Sequence, residues 1–262
     1  MIDDPPSRST GQVPVLQRQI PYDVTPRPMP GVSPLPPDDW LVVDDAFALQ
    51  MEQRVQLLSN KRADVLALDA HATAAADELL DLTVDLLRRL PERGYVVDAD
   101  RVRRPDGIAI RLDRADPLGT LGRLVQEDLC ILQKRGSEHR LTGAILCFPA
   151  SWRLDEKFMR PLSDIHRPVP SYDTPIAARV QRLFDGVQVG RPMWRFNFLP
   201  YADASLHQPR SVQSSRAQVD AATAPYLRSE KQSILRLPRT KAVIFSIHTF
   251  VIQNPGAAVL AD

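Results

Sequence analysis

The sequence predicts an α+β fold. Three observations carry that expectation. Apolar residues recur at helical spacing through the front third of the chain, in two runs over residues 44–60 and 73–91. Past residue 120 the pattern turns strand-like, with two apolar runs joined by a short polar turn. The helices of this second half fall between strand pairs instead of after every strand, which suits an antiparallel sheet with crossing helices and not an alternating parallel one.

Ten of the 24 prolines precede residue 38, against 11 glycines in the whole chain. Proline removes a backbone donor and fixes φ, so this opening segment is neither helix nor central strand. Residues 14–40 are expected to wrap the domain as an extended arm that buries Tyr22, Met29 and Trp40, and the first dozen residues to be disordered. "DDAFALQMEQRVQLLSN" (44–60) predicts a helix with Phe47, Met51, Val55 and Leu58 on one stripe and Asp44 or Asp45 as cap. "TAAADELLDLTVDLLRRLP" (73–91) predicts a second, capped by Thr73, with Arg88 and Arg89 at the negative end of its dipole and Pro91 ending it. "DGIAIRL" (106–112) reads as a short strand, and "DPLGTLGRLV" (116–125) as a short helix weakened by glycine.

"EDLCILQKR" and "RLTGAILCFP" form a hairpin pattern about "GSEH". "ASWRLDEKFMR" follows as a helix capped by Ser151, then Pro161 breaks it or opens the turn "PLSDIH". "TPIAARVQRLFDGV" (174–187) is the clearest helix, with Pro175 in its first turn. "RPMWRFNFLPY" (191–201) alternates strictly: Trp194, Phe196 and Phe198 on one face, Arg195 and Asn197 on the other. Residues 202–225 read as a long loop, "RSEKQSILRLP" (228–238) as a helix and "KAVIFSIHTFVI" (241–252) as a long apolar strand.

Composition excludes several functions. The net charge is +1 with scattered Lys and Arg, so nothing favours nucleic acid or a membrane surface. No apolar run reaches membrane-spanning length, and the acidic, proline-bearing start is unlike a signal peptide. Cys130 and Cys147 lie in apolar runs and read as buried free thiols, so a cytoplasmic location is expected. The fingerprints of serine hydrolases, P-loop enzymes, Rossmann dehydrogenases, zinc hydrolases and covalent haem attachment are absent.

Two residues stand out. His166 lies where a helix ends, four residues before Pro170, with Leu162, Ile165 and Val169 as apolar neighbours. From spacing alone it reads first as a histidine whose cation suits a helix C-terminus; the alternative is the proximal ligand of a haem in an apolar pocket. Arg195 sits mid-strand between two aromatics, where it is exposed, paired with a carboxylate, or a fixed cation in a ligand pocket. His248 reads as a satisfied core or edge histidine, while His71, His139 and His207 fall in polar loop contexts.

Taken together, "LVQEDLCIL", "LTGAILCFPASWRLDEK", "RPLSDIHRPVPSY", "RVQRLFDGVQVGRPMWRFNF" and "LRSEKQSILRLPRTKAVIFSIHTFV" resemble the haem-dependent oxidative N-demethylases of the α-subunit type, in order, from about residue 35 to residue 252. The resemblance implies a PAS-like antiparallel sheet holding a non-covalent b-type haem. It implies oxidative demethylation of a small secondary amine such as dimethylamine by O2, with release of formaldehyde. Electrons would come from NADPH through a separate flavin and iron–sulfur reductase, so a hetero-oligomer is a further expectation. By position, the histidine of "DIHRPVP" makes His166 the iron ligand, and the arginine of "WRFNF" makes Arg195 the distal group facing oxygen. The pair in "DDAF" suggests Asp45 as partner of the substrate ammonium, one methylene shorter than the glutamate of relatives. Where relatives read "IRTYV", this chain reads "IHTFV", with His248 and Phe250. The expected organisation is an arm over 1–40 and a single haem-binding domain over 41–262, mainly helical over 41–119 and PAS-like over 120–252. The competing readings are a haem-bearing PAS-type sensor without catalysis and a haem-free relative that binds another ligand.

Overall fold

The computed structural model describes residues 14–28, 30–166, 174–211, 214 and 219–258. In chain order the elements are β1 (Ser33–Pro34), α1 (Phe47–Asn60), α2 (Arg62–Val65), β2 (Leu66–Leu68), α3 (Thr73–Arg89), β3 (Val96–Val97), β4 (Arg101–Arg103), β5 (Ala109–Arg111), α4 (Pro117–Leu124), β6 (Asp128–Arg135), β7 (Glu138–Ile145), α5 (Leu154–Lys157), α6 (Leu162–His166), α7 (Thr174–Gly186), β8 (Met193–Tyr201), β9 (Tyr226–Arg236), β10 (Val243–Gln253) and α8 (Pro255–Ala258). This is the α+β class. A seven-stranded sheet in the order β1-β8-β9-β10-β6-β7-β2 forms the body, and every pairing in it is antiparallel. A separate three-stranded sheet is made of β3, β4 and β5.

The sheet has two covered faces, because successive side chains point to opposite sides. One face carries Ile131, Leu129, Ile145 and Ile244, and packs against α1, α3, α4 and the N-terminal segment through Phe47, Met51, Leu79, Leu80, Leu121 and Trp40. We call it the arm face. The other carries Cys130, Leu132, Ala144, Ile234 and Val243, and packs against α5, α6 and α7 through Leu154, Leu162, Val180 and Phe184. We call it the α7 face.

Residues 14–28 reach the far side of β10. Gln17 donates its backbone N–H to the Val251 carbonyl at 2.9 Å and accepts from Val251 N through its side chain at 2.8 Å. Tyr22 hydrogen-bonds the Ser229 hydroxyl at 2.8 Å and stacks edge-on against Trp194 and Phe250. Trp40 is buried. Met29 and the first thirteen residues lie outside the described residues. Cys130 and Cys147 are both free and buried, and burial pushes the Cys147 thiol up to about 12.

The structure corrects two of the expected elements. "RSEKQSILRLP" is not a helix: it is β9, an 11-residue central strand paired along its whole length with β10 and along most of it with β8. Arg228, Ser229, Glu230 and Ser233 are buried there, so the strand lacks the outward polar and inward apolar alternation by which a strand is recognised. Ser151 does not cap a helix. It stands at φ 67°, and α5 is a single turn begun after Arg153. The strand expected over 106–112 shortens to β5, and β2, which closes one edge of the main sheet, was not anticipated.

Candidate functional site

The β8/β9 register builds a polar row into the α7 face. Arg195 stands opposite Gln232, and Asn197 opposite Glu230. Glu230 is only 6% exposed. Its Oε2 accepts from Asn197 Nδ2 at 2.8 Å and from Gln232 Nε2 at 3.0 Å, while its backbone N–H donates to Asn197 Oδ1 at 2.8 Å. Arg228 Nη2 lies 3.7 Å from its other oxygen and itself donates to the Phe148 carbonyl at 2.7 Å. The carboxylate is thus held chiefly by amides.

Arg195 is left over from this arrangement. It is half-buried, and its Nε is buried with no hydrogen-bond partner among the described residues. Burial lowers its pKa, and the Glu230 charge draws it back only in part. A buried guanidinium nitrogen without a hydrogen bond is costly. Arg195 is not fully exposed, and among the described residues no carboxylate lies within ion-pair distance of it.

A second cation sits over the same face. Lys157, at the end of α5, places Nζ 4.6 Å from the centroid of the Trp152 ring. Burial lowers its pKa to about 8, against the opposing pull of Cys130, Glu156 and Glu230. Apolar side chains surround these groups: Leu162 is buried there, and Ile165, Trp152 and Phe245 pack against the same cluster.

His166 ends α6, which lies over this face, but its side chain, with Val169 and Pro170, lies outside the described residues. Asp45 falls elsewhere. It is exposed, and its carboxylate lies 3.5 Å from Arg18 Nε and accepts from the Arg18 backbone N–H at 3.1 Å. Its neighbour Asp44 is the inward member of the pair. His248, on the arm face, donates from Nε2 to Asp44 at 2.9 Å and from Nδ1 to Glu127 at 3.0 Å. Burial by itself would lower the His248 pKa, but the two carboxylates outweigh it and raise it to about 9. Burial likewise pushes Asp44 up, while hydrogen bonds from His248, Gln126 and Gln17 hold it down at about 2. His248 is therefore a satisfied core histidine in its charged form. The "IHTFV" departure concerns the face opposite Arg195, since residues 246, 248 and 250 of β10 share the arm face.

Sequence reasoning missed Glu230, Gln232 and Lys157. The first two lie in the strand taken for a helix, and the only signal for Lys157 was a lysine close to a tryptophan. It also passed over His139, which is a buried residue of β7 bonded to Gln181 at 2.9 Å. Among the described residues no group of three or more His, Cys, Asp and Glu side chains is placed to hold a metal ion.

Fold and site together define an α+β protein with an antiparallel sheet, one face of which holds a half-buried arginine beside a cluster of apolar side chains. The chain belongs to the family described as haem-dependent oxidative N-demethylase, alpha subunit-like, whose family model matches residues 31–254. The described residues fit a haem. An apolar macrocycle suits the partly buried Ile165, Trp152 and Phe245, and its acidic edge and polar ligand suit Arg195, whose Nε has no partner among the described residues, and Lys157, which lies over the Trp152 ring.

Proposed function

We propose that this chain is the haem-bearing, alpha-type subunit of an oxidoreductase that demethylates a small secondary amine with O2. The observation that carries the reading is the unpartnered Arg195 on the face that α6 and His166 overlie, in a chain of this family. For dimethylamine the balance is one amine, one O2, one NADPH and one proton giving methylamine, formaldehyde, NADP and water. The haem, bound without a covalent link, supplies the oxygen chemistry. His166 would hold its iron. Arg195 offers a cation fixed in a desolvated site, where it stabilises negative charge without reorganisation. Asn197 and Gln232 hold the Glu230 carboxylate by hydrogen bonds, and its charge offsets the burial of that cation only in part. The family's description as alpha subunit-like supports a multi-subunit enzyme, and a separate flavin and iron–sulfur reductase would carry electrons from NADPH. A PAS-like reading of the sheet rests on its antiparallel order and on the helices placed between β7 and β8. Asp45 would serve the substrate ammonium only at the exposed surface it shares with Arg18. No helix among the described residues is long and apolar enough to cross a membrane, and the two buried free thiols suit a reducing compartment such as the cytoplasm.

The test is optical. The chain expressed with haem supply should show a Soret band that shifts or vanishes in His166→Ala. No band in the wild type removes the haem reading, in favour of a haem-free relative. A band unchanged by the substitution removes His166 as ligand. Formaldehyde release from dimethylamine with reductase and NADPH separates an enzyme from a haem-bearing sensor.

A further inference from the structure

We infer that Lys157 seats a carboxylate of the bound haem, at the α5 side of the sheet face that carries Arg195. The inference rests on the haem reading above and assigns a binding residue to it. Among the described residues the Lys157 side chain makes no hydrogen bond and no ion pair, and its Nζ lies over the uncharged Trp152 ring. Its surroundings do not neutralise it. Cys130 of β6 is a thiol pushed up by burial, Glu156 is its own neighbour on α5, and Glu230 of β9 is held by Asn197 and Gln232 and shared with Arg195 of β8. On α2, which packs on α5, Arg62 is committed to Asp116 and Asp64 lies beside Arg153. A partly desolvated ammonium without a counter-charge gains most from an anion delivered by a ligand. Haem brings two carboxylates on an otherwise apolar disc, which matches a cation beside the partly buried apolar side chains of Trp152, Ile165 and Phe245. Lysine binds such a group as a point charge and needs no bidentate geometry.

The experiment uses the full chain and reads haem loss to an excess of apomyoglobin, for wild type, Lys157→Met and Lys157→Arg. Lys157→Met should lose haem roughly 10- to 100-fold faster, with its Soret position unchanged, and Lys157→Arg should largely restore retention. Because burial holds the ligand-free ammonium at about 8, retention by the wild type should be level below pH 8 and weaken above it. Lys157→Met should lack that alkaline fall. Haem dimethyl ester, which has no free carboxylate, supplies a second arm. It should be held equally by wild type and Lys157→Met, whereas a lysine that merely supports the fold would weaken both haems alike. Equal retention of haem by wild type and Lys157→Met, or equal weakening of haem and its ester, overturns the inference while the haem reading stands. A wild type that takes up no haem overturns both.

Discussion

Arg195 shows how much one residue can reveal. In the ligand-free chain it is a half-buried cation with an unpartnered Nε, so it opposes folding. Arg195→Met should therefore stabilise the ligand-free chain by about 1 kcal/mol in urea denaturation. The same variant should retain haem and lose turnover by roughly 100-fold. A destabilised ligand-free variant would mean that Arg195 has a structural partner, and retained turnover would remove it from the chemistry. His248 behaves in the opposite sense, since both its donors are used. Its pKa in the folded chain is raised from 6.5 to about 9. The stability it contributes is complete below pH 6.5, declines as the pH rises, and is lost above 9. Asp44, lowered from 3.8 to about 2, contributes above 3.8 and loses its effect as the pH falls through 2. Denaturation midpoints of the wild type should thus fall from pH 6.5 to 9. His248→Gln should be less stable at neutral pH by about 3–5 kcal/mol and should show a flatter profile. A parallel profile in both would sink this assignment.

At the scale of elements, α4 illustrates why propensity is a weak guide. Glycine in a helix interior costs about 1 kcal/mol relative to alanine, so alanine at either glycine of "PLGTLGRL" should help on propensity alone. Packing reverses the sign. A Cβ at Gly122 would lie 2.7 Å from an Ile145 side-chain carbon and 3.1 Å from Leu58, both in the core. A Cβ at Gly119 would fall on the Asp116 carboxylate, which caps the helix by accepting from Gly119 N. Gly122→Ala should destabilise by about 1–3 kcal/mol, read from the shift in thermal midpoint. β9 makes the complementary point. Its polar residues are inward because they serve the row beneath Arg195 and, through Arg228, tie the Leu206 and Phe148 carbonyls to the sheet. No local rule distinguishes that strand from a polar helix face.

Over the whole molecule, one sheet separates two environments. The arm face is closed by α1, α3, α4 and the N-terminal segment; the charged cluster around His248 is fully hydrogen-bonded at the histidine, and Arg54 of α1 is paired with Asp128. The α7 face leaves Arg195 Nε without a hydrogen bond among the described residues and holds Lys157 over the Trp152 ring, while its Arg228 and Arg236 bond backbone carbonyls. The segment over residues 14–41 therefore belongs to the folding unit. Trp40→Ala should cost about 3–5 kcal/mol, measured by urea denaturation, because its ring is buried among the helices of the arm face. Tyr22→Phe should cost about 1 kcal/mol by leaving Ser229 one hydrogen bond short, without touching the α7 face.

The sequence by itself determined the class, the helices α1, α3, α4 and α7, the β6–β7 hairpin and the alternation of β8, because each of these carries its own period of apolar residues or its own turn. It also singled out Arg195 as an oddity, since a charge between aromatics on a strand is visible without coordinates. Tertiary structure alone decided that "RSEKQSILRLP" is a central strand, that Glu230 and Gln232 stand beneath Arg195, and that Asp44 and Asp45 part, one inward to His248 and one outward to Arg18. The reason is physical. Periodicity records which side chains leave water, and it says nothing when the buried ones are polar. Which polar groups are buried together is set by strand register, and register is made between segments far apart in the chain.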